Sequence, residues 1–377
     1  MWNHQFLRRL DFRTFPLLLG LMVMSLLVIS ATSGDALQIA ETGFFTPRVK
    51  SQLQWFGIGS VAYLFFAGLD YHKLREWSWV FYFITILMLL GLFFTHSIQN
   101  VHRWYRIPFI GIGVQPSECA KLSVILTLSW FLERKGKAVG EWSTFFQVSL
   151  LAFIPFVLIL KQPDLGSALV LYPITLGMFY FGGVNRKVVI LLATLGMVAI
   201  CITALFFLGV ISHEEMRPFA THFLKDYQYD RLNPSTYHHQ ASQTAISLGG
   251  YFGSGFRKSD FTGHGFLPAA STDSVFPAFT EEFGLLGAVL ILLLFFGLIY
   301  CSFQVTVVAR DHFGRVLSAG VTIYLAIHVV VNIGMMCGLL PITGVPLLLM
   351  TYGGSSVLWT MIALGILQSV YTRRYMF

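Results

Sequence analysis

Charged side chains are scarce in this 377-residue chain, where Asp, Glu, Lys and Arg together make up only 11%. A soluble globular protein carries about 25% charged residues, so this chain has too few to cover a surface that faces water. Hydrophobic residues make up 55%, and apolar runs of the roughly 20 residues needed to cross a bilayer recur along the chain. Because each span must satisfy its own backbone hydrogen bonds, the composition predicts an all-α integral membrane protein.

Cysteine is also scarce, and basic residues form no continuous patch. The four cysteines lie in or beside apolar segments without a C-x-x-C spacing, which argues against a disulfide framework or a metal site and indicates small core residues. The net charge of +7 comes from small Lys and Arg clusters between apolar runs. The bias of cytoplasmic loops toward Lys and Arg explains these clusters, so we expect no nucleic-acid partner.

The apolar runs predict ten transmembrane helices. The expected spans are 15–33, 52–69, 77–95, 116–132, 144–160, 165–182, 188–210, 278–300, 316–337 and 346–370. With the N-terminus inside, every cytoplasmic segment carries at least two basic residues near a span end, which predicts that both termini are cytoplasmic. The first run follows Arg8, Arg9 and Arg13 as in a signal peptide, but no A-x-A site follows it, so we expect a retained span.

The longest polar connection runs from about residue 211 to residue 277, between spans 7 and 8. By the parity of the spans it lies outside the cytoplasm, and connections this long are usually functional or disordered. Aromatic residues are frequent in it, so we expect a folded cap on the membrane with one or two short helices. No internal repeat or linker divides the sequence, which predicts a single domain over 1–377.

Three carboxylates cluster at the end of this connection: Asp273, Glu281 and Glu282. Asp273 precedes a long apolar run and is therefore expected near a membrane boundary. A carboxylate is costly there unless it is solvated, paired or functional. Asp273 is accordingly the first candidate for chemistry.

Two further polar motifs lie at predicted span ends. Glu118 and Lys121 are three residues apart near the start of span 4, on one helix face, where they can form a structural ion pair or the charged wall of a polar cavity. Asp164 follows Pro163 in a tight turn and is expected to cap the next helix. Lys161 and Gln162 beside it remain candidates for lining a cavity.

Two patterns in the long connection do not carry chemistry of their own. The glycine-rich stretch 249–255 has no preceding strand, so a dinucleotide site is excluded and close backbone approach is favoured. Five histidines in this region, at positions 213, 222, 238, 239 and 264, lack metalloprotease spacing, although binding of a divalent ion by carboxylates stays open.

Several long motifs, in order along most of the chain, resemble the SEDS family (shape, elongation, division and sporulation). They are His102-Arg-Trp104, Gln115-Pro-Ser-Glu-Cys-Ala-Lys121, Lys161-Gln-Pro-Asp-Leu-Gly-Ser167, Thr272-Asp273, Glu281-Glu-Phe-Gly284 and Gly338-Leu-Leu-Pro-Ile-Thr-Gly344 through Tyr352-Gly-Gly-Ser-Ser356. The stretch 341–346 is similar to the elongation type, because the division type tends to have Lys-Gly where Thr343-Gly344 stands. The chain departs from the family at Ala241, where Gln is usual, at Ser274, where an aromatic residue is usual, and in a shorter loop after Pro234.

The resemblance implies a ten-span glycosyltransferase that polymerises lipid II into peptidoglycan on the outer face of the bacterial cytoplasmic (inner) membrane. It also implies a class B penicillin-binding protein as partner, polyprenyl lipids as ligands and Asp273 in the catalytic position. Ser242 belongs to an element similar to the family's Tyr…Gln-Ser element and is a candidate for substrate binding.

The chemistry of such a reaction suggests roles for the polar residues. Asp273 is expected to act as general base, or as the ligand of Mg²⁺ or another divalent cation that also binds the pyrophosphate; the sequence does not separate these roles. Arg103, Lys121 and Arg231 are candidates for holding phosphate, with Glu118 orienting Lys121. Two other functions stay open: a lipid II flippase, and a non-catalytic scaffold for the penicillin-binding protein.

Overall fold

The computed structural model describes residues 4–32, 43–94, 103–106, 113–222 and 226–375. Within these residues the chain is nearly all helical. The α-helices are α1 (Thr14–Ala31), α2 (Pro47–Gly68), α3 (Tyr71–Gly91), α4 (Pro116–Lys135), α5 (Trp142–Lys161), α6 (Leu165–Gly182), α7 (Arg186–Phe207), α8 (His213–Ala220), α9 (Asp226–Tyr229), α10 (Tyr237–Gly249), α11 (Asp260–Gly263), α12 (Val275–Val308), α13 (His312–Met336) and α14 (Gly354–Thr372). Two short strands, β1 (Tyr105–Arg106) and β2 (Gly113–Val114), pair antiparallel.

Eight of these helices are long and apolar enough to cross a membrane: α1, α3, α5, α6, α7, α12, α13 and α14. The prediction of a helical chain with many apolar spans is therefore confirmed. The helix α7 exposes most of its apolar surface, because only 11% of its apolar window is buried inside the protein. So large an apolar surface is stable only against hydrocarbon or another protein. The predicted span ends at residues 33 and 95 lie outside the described residues.

The helix α4 forms the centre of the bundle. Every residue from Pro116 to Ser129 is buried, and α3, α5, α6, α13 and α14 all pack against it. Pro116 occupies the first turn, where its missing N–H costs nothing, and Glu118 complements the positive end of the helix dipole. A helix buried on all sides must pair its charged residues with other protein groups. This constraint applies to the charged residues of α4 beside the cavity described below.

The predicted tenth span, 346–370, is wrong at its start, because α14 begins at Gly354. Residues 341–353, which we name the re-entrant segment, have no helical structure, although Leu347–Met350 are fully buried. Two prolines in the segment lack an N–H, and Gly344 has a φ of +75°, outside the helical region. Because these residues are apolar, the sequence pattern predicted them as part of the span.

Side chains and neighbouring backbone satisfy the polar groups of the re-entrant segment. The amide of Asn332 donates to the carbonyl of Val345 (2.8 Å), and Thr351 Oγ1 accepts the N–H of Leu347 (3.0 Å). The N–H of Tyr352 binds the carbonyl of Ser271 (2.9 Å). Non-helical backbone at this depth is stable only where protein supplies such partners.

The described part of the polar connection 211–277 contains four short helices, α8 to α11, where the sequence pattern predicted one or two. Three of them have eight residues or fewer, too short for a helical period to be visible in the sequence. The longest, α10, packs against α12 and α13 through Ala241 and Ala245. The connection is therefore folded back onto the bundle as predicted.

The helix α12 is broken at Gly284, whose φ of +65° and ψ of −163° lie outside the helical region. The glycine-rich stretch 249–255 closes this break. The N–H groups of Ser254 and Gly255 bind the carbonyls of Glu281 and Glu282 (both 2.9 Å), and the N–H of Leu285 binds the carbonyl of Gly250 (2.9 Å). Close backbone approach, as predicted, explains these glycines.

Glu281 and Glu282 fix the same stretch through their side chains. The Glu281 carboxylate accepts the N–H groups of Phe261 and Thr262 (both 3.0 Å) and the Thr262 hydroxyl. The Glu282 carboxylate accepts the N–H of Arg257 (3.2 Å). These two carboxylates hold the connection against α12, which leaves Asp273 as the candidate for chemistry among the three.

All four cysteines are free thiols. Cys119 and Cys301 are buried in α4 and α12, as predicted for small core residues. Cys201 in α7 and Cys337 after α13 are exposed, so the predicted core position is wrong for these two. Apolar neighbours in the sequence mark a lipid-facing surface as readily as a core.

The closure of the α12 break predicts that Gly253 cannot be replaced. A Cβ atom there would lie 2.1 Å from the carbonyl oxygen of Glu282, on a residue whose φ is +80°. Gly253→Ala should lower the free energy of unfolding by about 1–3 kcal/mol or more, measured by thermal unfolding in detergent. Gly263→Ala is the matched control, because nothing lies within 4 Å of its Cβ position. Equal melting temperatures for the two variants would contradict the role of this stretch.

Candidate active site

A cavity of about 780 Å³ lies at the end of the bundle where α4, α6 and α14 begin. Its volume is in the range of small-molecule binding sites. The charged and histidine side chains of its lining are Arg103, Glu118, Asp164, Asp230, Arg231, His238 and Asp273. The re-entrant segment forms much of the remaining wall. Asp273, Arg103, Glu118 and Arg231, predicted separately from the sequence, thus share one cavity.

Asp273 lies in the turn that leads into α12, and its side chain is half-buried. The carbonyl of Ala269 closes this turn by accepting the N–H groups of Thr272 (2.9 Å) and Ser274 (3.1 Å). From α13 the Asn332 amide donates to the carbonyl of Asp273 (3.1 Å). A Cβ atom on Gly344 would lie 3.5 Å from Asp273 Oδ2, so the carboxylate rests beside the re-entrant segment.

The surroundings of Asp273 make it a stronger base than an exposed aspartate. Burial raises its pKa above the usual range, and the negative charge of Asp164 acts in the same direction. Positive charge on His238, Arg231 and Arg103 opposes this rise, in that order of strength. A carboxylate whose pKa lies closer to neutral pH accepts a proton more effectively in general base catalysis.

Backbone carbonyls anchor the two arginines of the cavity. Arg103 Nε donates to the carbonyl of Gln162 (3.3 Å), and its Nη2 donates to the carbonyl of Pro163. Arg231 Nη1 donates to the carbonyl of Thr343 in the re-entrant segment (3.1 Å). Both guanidinium groups carry a permanent positive charge, which suits the binding of a phosphate group.

Behind the cavity wall, Glu118 and Lys121 form the ion pair that their spacing predicted. Lys121 Nζ lies 2.7 Å from Glu118 Oε1 and 2.9 Å from His328 Nε2, and all three residues are buried. His328 Nδ1 lies 3.1 Å from the Pro346 carbonyl, which can only accept. Nδ1 therefore carries the proton and Nε2 accepts from Lys121. The pair is both structural and part of the cavity wall, since Glu118 lines the cavity and its Oε2 has no hydrogen-bond partner among the described residues.

Four predicted site residues do not line the cavity: Lys121, which is buried in its ion pair with Glu118, Lys161, Gln162 and Ser242. Lys161 is exposed at the end of α5. Gln162 is buried, its Nε2 donates to the Leu89 carbonyl (2.8 Å), and it reaches the cavity only through its carbonyl on Arg103. Ser242 is buried, with its hydroxyl 3.4 Å from Met336 Sδ. The residue His102 of the first motif lies outside the described residues.

The sequence predicts only part of the role of Asp164 and predicts none for His238. Asp164 caps α6 as predicted, with Oδ1 accepting the N–H of Ser167 (3.2 Å), but its Oδ2 also accepts from Gln115 and Ser117 (both 3.2 Å) at the start of α4. His238 lines the cavity beside Asp273. The histidines of the connection lack metal-ligand spacing, and the sequence around His238 carries no other signal of this position.

The carboxylates that line the cavity do not form a complete site for a divalent cation among the described residues. Among the described residues, no group of three or more His, Cys, Asp or Glu side chains could hold a metal. Asp164 has both oxygens engaged, Glu118 is paired with Lys121, and Asp230 lies 3.6 Å from Arg217, so Asp273 is the candidate ligand. Mg²⁺ often binds through one carboxylate together with substrate phosphates and water, so Asp273 fits that mode only with a pyrophosphate present.

The buried ion pair predicts a non-additive response to substitution. Lys121→Met should leave Glu118 buried without a partner and cost about 3–5 kcal/mol of unfolding free energy. Adding Glu118→Gln should restore much of this loss, because a neutral pair needs no compensation. Thermal unfolding of the two single variants and the double variant in detergent measures the effect. Additive losses would show that the two charges do not depend on each other.

A family model described as a cell cycle protein, which takes its label from FtsW, RodA and SpoVE, matches residues 12–376. Peptidoglycan glycosyltransferase MrdB of Helicobacter pylori is 32% identical over 386 residues, covering 100% of this chain and 92% of the relative. MrdB of Escherichia coli K12 is 31% identical, covering 97% and 95%. A probable peptidoglycan glycosyltransferase FtsW of Geobacter metallireducens is 32% identical, covering 96% of each.

Solved structures share the fold. The crystal structure of Thermus thermophilus rod shape determining protein RodA matches with a TM-score of 0.69 and 23% identity, covering 97% of this chain and 98% of that one. A chain from a structure described as "Structural coordination of polymerization and crosslinking by a peptidoglycan synthase complex" matches with a TM-score of 0.74 and 24% identity, at the same coverage. Together with the apolar helices, these matches identify a multi-pass membrane protein. The chain belongs to the FtsW/RodA/SpoVE family, which is the SEDS family that its motifs resemble.

Proposed function

We propose that this protein is a peptidoglycan glycosyltransferase that polymerises lipid II into glycan strands during cell-wall elongation. The observation that carries the proposal is a half-buried carboxylate, Asp273, in a polar cavity that also holds the guanidinium groups of Arg103 and Arg231. The names of the curated relatives, which include peptidoglycan glycosyltransferases of the MrdB type, support the same activity.

The reaction needs one base and a site for an anionic leaving group. The acceptor sugar's hydroxyl oxygen bonds to the anomeric carbon of the donor, while the bond from that carbon to the polyprenyl pyrophosphate breaks. Asp273 takes the hydroxyl proton, and the pyrophosphate leaves with the bonding electron pair. Because the leaving group is already an anion, cations stabilise it and no general acid is required.

The positions of the other residues suggest how the substrate is held. Arg103 and Arg231, on two walls of the cavity, are proposed to bind the pyrophosphate. Lys121 acts through Glu118, whose side chain it holds in the wall of the cavity. Substrate binding by Lys161, Gln162 and Ser242 stays a prediction. None of these three residues lines the cavity, so any such contact lies outside it.

We propose a single domain over residues 1–377 with ten spans in the bacterial cytoplasmic membrane, both termini in the cytoplasm and the cavity on the extracytoplasmic side. The helices α2 and α4 complete the ten, since their 22 and 20 residues reach about 30 Å. The pairing of Lys121 with Glu118 removes the main objection to placing α4 inside a bilayer.

A class B penicillin-binding protein is proposed as the partner, because glycan strands require cross-linking once they are made. The likeness to a chain from a peptidoglycan synthase complex is consistent with such an assembly. The motif 341–346, similar to the elongation type, favours a role in elongation over one in division.

Two other functions remain as alternatives, and each has its own prediction. A lipid II flippase would move its substrate across the bilayer without joining sugars, and it needs no carboxylate at Asp273. A scaffold that only positions the penicillin-binding protein would tolerate any substitution of Asp273 that leaves the fold intact.

Asp273→Asn should lower polymerisation of labelled lipid II by about 10²–10⁴-fold, because the amide cannot accept the proton. The assay uses the purified protein with its partner in liposomes, with translocation followed in parallel. Asp260→Asn is the matched control, since Asp260 is an exposed carboxylate of the same connection. Near-normal glycan from Asp273→Asn would reject the assignment, and translocation without any glycan from the parent protein would favour the flippase.

Polymerisation should be lost with EDTA and return with Mg²⁺, because a divalent ion bound to the pyrophosphate adds to the positive charge of two arginines. Asp273→Glu separates the two roles of the carboxylate. If Asp273 is a base only, this variant lowers the rate at saturating Mg²⁺ and keeps the half-saturating Mg²⁺ concentration. A shifted half-saturating concentration would instead assign Asp273 as a metal ligand, and full activity in EDTA would remove the cation from the reaction.

A further inference from the structure

A second cavity, of about 500 Å³, lies at the end of the bundle opposite the candidate active site. Glu118 lines the active-site cavity, and Arg134 lines this one, about 24 Å further along the same helix. The helices α3 and α5 contribute the other walls. The lining residues are Trp79, Trp130, Phe131, Arg134, Lys135 and Gln147. We name this the basic cavity, because the charged side chains of its lining are both basic.

Aromatic rings hold the two cations of the basic cavity. The rings of Trp79 and Trp130 meet edge to face, with their centroids 5.5 Å apart. The Arg134 guanidinium lies over the Trp130 ring, 5.1 Å from its centroid. Lys135 Nζ lies 5.3 Å from the centroid of the Phe131 ring. Cation–π contacts use the face of each ring, so the N–H donors of both side chains stay available to an anion.

The two cations have no ion-pair partner in the part of the chain that the structure describes. The neighbouring acid, Glu133, is paired with Arg75 on α3 (3.3 Å). The helix dipole favours basic residues in the last turn of α4, which accounts for their type. It does not account for a cavity between three helices that holds two positive charges and no negative one. The cavity therefore has the electrostatic character of an anion site.

The basic cavity continues into a surface that faces hydrocarbon. Phe83, one turn beyond Trp79 on α3, is exposed, and so is Leu150, one turn beyond Gln147 on α5. The two helices are joined here, since the Tyr82 hydroxyl donates to a carbonyl of α5 (2.8 Å). Tryptophan is typical of the boundary between hydrocarbon and water, so the cavity lies at the level of the lipid headgroups. A ligand with its charge in the cavity can therefore lay an apolar part along α3 and α5.

We propose that the basic cavity binds an anionic phospholipid of the membrane. The phosphate group binds Arg134 and Lys135, the amide of Gln147 supplies a further donor, and the glycerol region lies against the two tryptophans. A free phosphate would use the cations alone and leave the aromatic wall without a role. The proposed topology places this lipid in the cytoplasmic leaflet. The inference needs a membrane protein only, and it goes beyond the proposed glycosyl transfer.

Binding should stabilise the folded protein, because the cavity exists only when α3, α4 and α5 are packed together. The experiment measures thermal unfolding of the purified full-length protein in an uncharged detergent while dioleoylphosphatidylglycerol is titrated. We expect a saturable rise in melting temperature with a defined half-saturating lipid concentration. Dioleoylphosphatidylcholine has the same acyl chains without net charge, and glycerophosphoglycerol has the same headgroup without acyl chains. Neither should produce the rise at the same concentrations.

Arg134→Gln combined with Lys135→Gln should raise the half-saturating concentration about 10–30-fold, the loss expected for two cations at a lipid surface. Arg186→Gln combined with Lys187→Gln is the matched control. It removes the same charge from exposed residues at the start of α7, at the same end of the bundle, and should leave the concentration unchanged. Should the first double variant fail to fold, either single substitution carries the test with a rise of about 3–5-fold.

Four results would overturn the inference. They are no rise in melting temperature with phosphatidylglycerol, an equal rise with phosphatidylcholine, a rise with glycerophosphoglycerol alone, and equal half-saturating concentrations for the two double variants. The third result would assign the cavity to a water-soluble phosphate, and the fourth would reduce the effect to general attraction between a basic protein and anionic lipid. Each of them leaves the proposed function standing, because none of these measurements involves glycosyl transfer.

Discussion

The side-chain amide of Asn332 joins the parts of the protein that create the cavity. Its Nδ2 donates both to the carbonyl of Asp273 (3.1 Å) and to the carbonyl of Val345 (2.8 Å). One buried amide on α13 thus fixes the turn that carries the proposed base and the re-entrant segment that forms the opposite wall. An unsatisfied carbonyl costs most in apolar surroundings, so these two bonds keep both pieces of irregular backbone in one arrangement. One turn along the same helix, His328 does the same for Pro346 while accepting from Lys121.

The buried ion pair of Glu118 and Lys121 beside the cavity has a structural consequence. Removing either Glu118 or Lys121 leaves an uncompensated charge in the centre of the bundle, whereas the intact pair adds little net stability. The value of the pair therefore lies in geometry, since it fixes the face that α4 presents to the cavity. Glu118 Oε2 is held at that face by a lysine that cannot reach solvent.

Helices were predictable because long apolar runs have few alternatives in a membrane, and local capping chemistry was predictable because it depends on neighbouring residues. Pro116 in a first turn and Asp164 as a cap are of this kind. The start of α14 was not predictable, since residues 346–353 are as apolar as a span and their hydrogen bonds come from distant helices. The role of Glu281 and Glu282 was hidden for the same reason, because their partners lie about 20 residues away. His238 reaches Asp273 only through the folding of the connection, which no local pattern encodes.

The cavity contains charges of both signs, and a bound substrate changes the balance between them. Burial raises the pKa of Asp273, and the positive charges of His238 and two arginines oppose that rise. In the proposed reaction the pyrophosphate binds Arg103 and Arg231, so its negative charge would offset theirs and raise the pKa of Asp273 further. The binding of the donor thereby strengthens the group that must deprotonate the acceptor. Such coupling favours the reaction only when donor and acceptor are both bound. A donor alone brings no acceptor hydroxyl from which Asp273 can take a proton.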